Sequence, residues 1–126
     1  MPHETIFNSQ AGIIETKLWG AIPFSEVRDV IAESTLLAKE NGCYLWLTDY
    51  SEATPEFTTL EIYDFPKLFL DAAAQLNIHV SLIKRAIVMS KEGADYPFAR
   101  TVAFNRGQRL ELFEEIEKAR SWLTGQ

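Results

Sequence analysis

The stretch that most constrains the fold is the run Cys43–Leu47, which continues through Thr48 to Asp49. Its first five residues are all apolar or aromatic, and the run stops at a carboxylate. A short segment with apolar side chains on both alternating faces predicts a central strand covered on both sides, usually a parallel one between helices. Because ligands gather where such strands end in open α/β sheets, we predict a functional site where this strand meets a polar loop over 50–55.

The chain before this run predicts a β-hairpin and then a helix. Two β-prone segments, 5–9 and 12–19, flank a short connection, and Gly20 ends the second. Pro23 opens a helix with Ser25 as its cap, because proline suits the first helical turn and serine can accept a backbone N–H. The helix ends at Asn41-Gly42, where glycine can adopt the left-handed conformation.

The chain after this run predicts three further helices and two strands. Thr58 and Thr59 open a helical region that Pro66 kinks or breaks near Phe65, since proline lacks a donor and disfavours a helical residue before it. A longer helix to Asn77, a strand over 80–89, a helix over 97–105, an edge strand over 110–112 and a helix over 114–123 follow. The order ββαβαβαβα predicts one α/β domain over 1–126, with a mixed, mostly parallel sheet flanked by helices.

Bulk composition restricts the partners and the compartment. The 126 residues carry a net charge of -6, and no cluster of lysine and arginine extends beyond Lys84-Arg85, which argues against nucleic acid. The apolar stretches are much shorter than the ~18 residues of a membrane helix, so we expect no membrane insertion. Residues 1–4 show no signal-peptide pattern, and we therefore expect a cytoplasmic protein.

Several segments together resemble the SpoIIAA-like, or STAS-like, bacterial domains. These are Gly20 after the second strand, the helix end Asn41-Gly42, Leu-Thr-Asp over 47–49, Ala-Ile-Val-Met-Ser over 86–90 and the closing segment 113–123. The resemblance implies a small non-enzymatic regulator, related in fold to anti-sigma factor antagonists. It implies docking to a protein partner, with phosphorylation of a serine or threonine at the start of the second helix switching docking off.

The family pattern Asp-Ser-Ser/Thr-Gly after the central strand is absent here, and Thr58 or Thr59 takes about its place. We predict a partner or phosphorylation surface formed by Asp49, Ser51, Thr58 and Thr59. A phosphate there would meet unpaired backbone donors and add a charge of about -2. The alternative interpretation is structural: Asp49 and Ser51 bind loop amides, and Thr58 or Thr59 caps a helix.

Aromatic residues near Pro66 and on the central strand form a second candidate site. They predict a pocket for a small apolar molecule or a lipid, since the SpoIIAA-like fold also resembles the lipid-carrying Sec14 fold. The alternative is ordinary core. The predicted pocket residues are Trp46, Phe57, Tyr63, Phe65 and Phe69.

The remaining reactive side chains favour neither catalysis nor a cofactor. His3 and His79 are far apart, no metal-ligand spacing occurs, and no nucleophile, P-loop or dinucleotide motif is present. Cys43 is predicted to be a buried, inert thiol. The basic residues could bind an anion or be solvated charges, and the second interpretation is favoured; they are Lys84, Arg85, Arg100 and Arg106. An exposed helix face could also form a homodimer.

Overall fold

A five-stranded sheet organises the computed structural model, which describes residues 2–89, 103 and 107–125. The strand order follows the chain; β1 and β2 are antiparallel, and the remaining pairs are parallel. The strands are β1 (His3–Asn8), β2 (Ile13–Pro23), β3 (Leu45–Glu56), β4 (Lys84–Val88) and β5 (Arg109–Phe113). The described helices are α1 (Phe24–Asn41), α2 (Thr59–Gln75) and α3 (Ile116–Thr124), with a 3-10 turn at Val80–Leu82.

The central strand β3 is buried on both faces, as the sequence predicts. Trp46 and Tyr50 pack into the core beneath α1 and α2, whereas Leu47 packs beneath α3. Trp46 is 3% exposed and Leu47 is 2% exposed. Because neighbouring side chains of a strand point to opposite faces, one short apolar run supplies both layers of the core. The predicted α/β class and mixed sheet are confirmed.

The predicted polar loop over 50–55 is wrong, because β3 continues to Glu56. β2 also continues past Gly20 to Pro23, and the two extensions pair with each other. Lys17 pairs with Asp49 and Trp19 with Glu52, so β3 carries an extra residue there, as in a β-bulge. The residues of this extension of β3 are mostly polar, so a hydrophobicity pattern does not predict a strand there. Their backbone groups nevertheless pair with β2 in the sheet.

The helix boundaries differ from the predictions at two places. Pro23 itself precedes α1, and no side chain caps the helix, so Ser25 is not the cap. α2 runs through Pro66 as one helix, so of the predicted kink or break near Phe65 the break is wrong. Pro66 is fully buried, and packing of this turn into the core offsets the backbone hydrogen bond that proline cannot make.

The elements after α2 agree in part with the sequence-based predictions. Only Lys84–Val88 of the predicted strand over 80–89 is extended, and a 3-10 turn precedes it. β5 is the predicted edge strand, and α3 is the predicted closing helix. The helix predicted over 97–105 lies outside the described residues except for Ala103, which is helical and buried.

A reciprocal pair of hydrogen bonds fixes the start of α2. The Thr58 hydroxyl accepts the Glu61 backbone N–H at 3.1 Å, and the Glu61 carboxylate accepts the Thr58 N–H at 2.8 Å. This capping box satisfies two backbone donors that the first turn would otherwise leave open. The sequence-based alternative that Thr58 caps a helix is therefore correct as a structural statement.

A buried histidine joins β1 to α1. His3 Nδ1 bonds the Glu26 carboxylate, and Nε2 lies 2.8 Å from a Glu33 carboxylate oxygen. Burial lowers the pKa of His3, but the hydrogen bonds and negative charges of Glu26 and Glu33 outweigh it, so its pKa is raised above 6.5. The imidazolium form thus holds the edge strand against the helix.

Removing the Thr58 hydroxyl should destabilise the protein through the cap alone. We expect Thr58→Ala to lower the free energy of unfolding by about 1 kcal/mol, and Thr58→Ser to change it much less, because serine keeps the accepting oxygen. Urea denaturation monitored by circular dichroism measures both. Equal losses for alanine and serine would contradict the role of the cap.

The contribution of His3 to stability should depend on pH in a defined direction. Since its folded-state pKa is raised, its stabilisation is complete below about pH 6.5 and is lost as pH rises through the folded-state pKa. We expect His3→Gln to cost more stability at about pH 5.5 than at about pH 9. Urea unfolding at both values tests this, with exposed His79→Gln as the control; a pH-independent cost of His3→Gln would refute it.

Candidate functional site

The structure separates the four predicted polar side chains into two groups. Asp49 and Ser51 lie within β3, whereas Thr58 and Thr59 lie at the start of α2. Asp49 is seven residues before the end of β3 at Glu56, which at ~3.3 Å per residue corresponds to roughly 20 Å. The four side chains therefore do not form one continuous surface, although each remains a candidate by itself.

Asp49 and Ser51 stabilise the irregular part of β3. The Ser51 backbone N–H donates to Asp49 Oδ1 at 2.8 Å, next to the register shift between β2 and β3. This matches the structural interpretation, in which a carboxylate satisfies a nearby amide.

A shallow groove beside Asp49, on the α3 side of the sheet, contains oppositely charged side chains that pair with each other. Arg120 donates to the two carboxylate oxygens of Glu15 at 2.7 and 3.1 Å. Hydrogen bonding to Arg120 lowers the pKa of Glu15, although burial opposes the shift. Two-point binding fixes α3 on β2, so these charges are explained by the fold.

The outward face of α2 carries an exposed apolar strip beside Thr58. Leu60 is 77% exposed, Tyr63 is 41% exposed and Leu70 is 38% exposed. Their spacing places them along one side of the helix. We call Thr58, Leu60, Tyr63 and Leu70 the α2 surface. Tyr63 was predicted to line the aromatic pocket, but the structure places much of its ring at the protein surface.

Most of the other predicted pocket aromatics form core contacts. Phe57 and Phe65 pack with Phe24, with ring centroids 5.0 Å apart for Phe57–Phe65 and 5.1 Å apart for Phe24–Phe65. Phe69 packs edge-on against Trp46 at 5.1 Å. These contacts support the interpretation of the cluster as core around the N-terminal ends of α1 and α2.

A small cavity of about 50 Å³ lies between the sheet and the two helices α1 and α2. Trp46 and Phe65 are the predicted pocket residues that line it. Most of its wall is apolar, but Thr48, Tyr50 and Arg85 add polar groups. Pockets for drug-sized ligands usually measure roughly 300–1,000 Å³, so this space suits a much smaller molecule than a lipid.

Arg85 is the unexpected group in this cavity, since the sequence favours a solvated charge and the structure shows a side chain only 8% exposed. Its guanidinium lies 3.9 Å from the centre of the Phe69 ring. Nη2 donates to Gln108 Oε1 at 3.1 Å, and Gln108 Nε2 donates to the Pro66 carbonyl at 2.8 Å. The sequence analysis did not single out Gln108.

Two buried donors on residues that line the cavity lack a hydrogen-bond partner among the described residues. They are Arg85 Nε and Trp46 Nε1. Burial lowers the pKa of Arg85 to about 10, although the interaction with Tyr50 opposes the shift, so the guanidinium remains charged at neutral pH. Burial also raises the pKa of Tyr50, and the charge of Arg85 opposes that shift. The cavity is therefore a cationic, donor-rich space with apolar walls.

The described residues also bear on metal binding, on the reactivity of Cys43 and on membrane crossing. Within the part of the chain that the structure describes, no three His, Cys, Asp or Glu side chains are grouped so that they could hold a metal ion. Cys43 is buried, and its thiol lies 3.2 Å from the Gly12 carbonyl oxygen. None of the described helices is long and apolar enough to cross a lipid bilayer.

Comparison with known proteins identifies the fold. No protein-family model matches the chain, and no curated protein matches it. An uncharacterised DUF3478-family protein with a SpoIIAA-like fold from Shewanella loihica PV-4 is similar in structure, with a TM-score of 0.58 and 18% identity over 96% of this chain and 91% of that one. An anti-sigma factor antagonist from Mycobacterium paratuberculosis has a TM-score of 0.55 and 10% identity over 97% and 94%. The chain thus has the SpoIIAA-like, or STAS-like, fold that its sequence resembles.

Proposed function

We propose that this protein is a non-enzymatic, cytoplasmic regulatory module that binds a protein partner through the α2 surface. The observation that carries the proposal is the exposed apolar strip on α2, headed by Leu60. A helix that buries one face and exposes large apolar side chains on another is typical of a partner-binding element. The similarity in fold to an anti-sigma factor antagonist supports the same class of function.

The charges around the strip indicate what kind of partner fits. Glu56, Asp64 and Asp71 are exposed near it, and Lys67 is the exposed basic residue of α2. Lys67 also lies within 3.9 Å of the Asp71 carboxylate, which offsets part of its charge. A partner with an apolar pocket and a basic rim would complement this surface, and the net charge of -6 would steer its approach.

Thr58 is the position where phosphorylation would regulate this binding. Its hydroxyl is exposed, but it takes part in the capping box with Glu61. A phosphate of about -2 charge would be repelled by the Glu61 carboxylate and would compete with it for the same backbone donors. The first turn of α2, which presents Leu60, would then rearrange. Thr59 offers a neighbouring exposed hydroxyl, whereas Asp49 and Ser51 lie outside this surface.

The lipid carrier inferred from the sequence as an alternative has less support. It requires an apolar space of ligand size near the aromatic cluster, and the cavity there is about 50 Å³ with a charged guanidinium in its wall. A second copy of the chain is another occupant of the α2 surface, which light scattering of the purified protein would reveal.

Charge placed in the apolar strip should abolish partner binding. We expect Leu60→Asp to weaken binding by roughly tenfold or more, since loss of a hot-spot residue at the centre of an interface costs about 2 kcal/mol or more. A partner captured from the native host with the wild-type protein is purified, and its affinity for each variant is measured by isothermal titration calorimetry. Leu36→Asp is the matched control, because Leu36 is an equally large, exposed apolar residue on α1.

The affinities of the two variants distinguish specific binding through the α2 surface from non-specific hydrophobic binding. Loss of binding with Leu60→Asp and retention with Leu36→Asp would support the proposal. Equal affinities for all three proteins would refute the α2 surface as the docking site. Thr58→Glu should also weaken binding, whereas Ser51→Glu, which adds the same charge roughly 16 Å before the end of β3, should not.

A further inference from the structure

We infer that the cavity beneath α1 and α2 is a binding site for a small monocarboxylate, whose charged end pairs with Arg85 and Trp46 and whose short apolar body fills the remaining space. This site is separate from the α2 surface and goes beyond the proposed regulatory function. It rests on the buried charge, on two donors without partners among the described residues, and on the largely apolar lining of the cavity.

The first argument is the buried charge. Arg85 is nine-tenths buried, and the described residues place no carboxylate in contact with its guanidinium. A charge in the protein interior is costly unless it is paired with an opposite charge and hydrogen-bonded. The contact with the Phe69 ring and the bond to Gln108 offset only part of that cost. A bound anion would add a countercharge that the described residues do not provide.

The second argument is the position of the two donors. Trp46 and Arg85 are direct neighbours in the parallel pairing of β3 with β4, and paired strands lie ~4.8 Å apart. Their side chains share the same face and contact the same ring of Phe69. Arg85 Nε and Trp46 Nε1 both lack a partner among the described residues. The two oxygens of one carboxylate can accept from both donors at once.

The third argument decides between kinds of anion. Much of the rest of the wall is aliphatic and includes Val27, Ile31 and Leu112, although Thr48 and Tyr50 also line it. Chloride would leave this part of the cavity empty, and a phosphate dianion would need more donors than the described wall offers. A carboxylate with a tail of a few carbons matches both the polar end and the apolar walls in a space of about 50 Å³.

Nuclear magnetic resonance provides the test, because the proposed site contains an indole N–H. The protein has three tryptophans, and Trp46→Phe assigns the Trp46 indole signal. We expect titration with butyrate to shift that signal saturably and butyramide, its neutral analogue, to leave it unchanged. The indole signal of Trp19, which is exposed, is the internal control.

Variants link the signal to Arg85. We expect Arg85→Met, which keeps an unbranched apolar side chain without the charge, to weaken butyrate binding roughly tenfold to a hundredfold, as expected for loss of a hydrogen bond to a charged group. Should that variant fail to fold, Trp46→Phe measured by calorimetry is expected to bind butyrate about three- to tenfold more weakly.

Three results would overturn the assignment. The first is the absence of a saturable Trp46 shift with butyrate at tens of millimolar. The second is an equal response to butyramide, which would show that the charge has no part in recognition. The third is an equal response to inorganic phosphate, which would show a general anion site without an apolar subsite.

Discussion

The burial of β3 on both faces is the constraint on which the rest of the structure depends. Trp46 and Leu47 are adjacent in sequence, yet they pack into two different layers of the core. Once that strand is central, β2 and β4 pair on its two sides, and α1 and α2 must cover one face while α3 covers the other. The cavity and the α2 surface both belong to the α1/α2 layer, so their positions follow from the same alternation.

The elements that are set by local pattern were predictable from sequence. The central strand, the left-handed stop at Gly42 and the amphipathic closing helix each follow from neighbouring residues. The errors arise where tertiary contacts decide. β3 extends through Tyr50 and Ser51 because β2 is beside it, and α2 stays continuous at Pro66 because that turn is buried. Propensity describes an isolated segment, and packing overrides it here.

The candidate sites likewise divide into residues that a local sequence pattern predicts and residues whose role depends on tertiary contacts. Thr58 was recognisable because a threonine three residues before a glutamate, ahead of an apolar segment, is a local signal. The role of Arg85 was not, because a cation in sequence is normally solvated. Its burial depends on Phe69, and on Gln108, which is 23 residues away. The one available signal for burial was its place inside the apolar segment of the fourth strand, and the general preference of cations for solvent outweighed it.

α2 connects the two sites physically. On its inner side, Pro66 and Phe69 contact Gln108 and Arg85, and on its outer side the same helix presents Leu60, Tyr63 and Leu70. The Pro66 carbonyl accepts from Gln108 Nε2, which ties the middle of the helix to the residue before β5. A helix held from one side by a buried polar network presents its other side in a fixed orientation. The exposed strip is therefore positioned by the interior as well as by the cap at Thr58, and the two ends of the strip depend on different interactions.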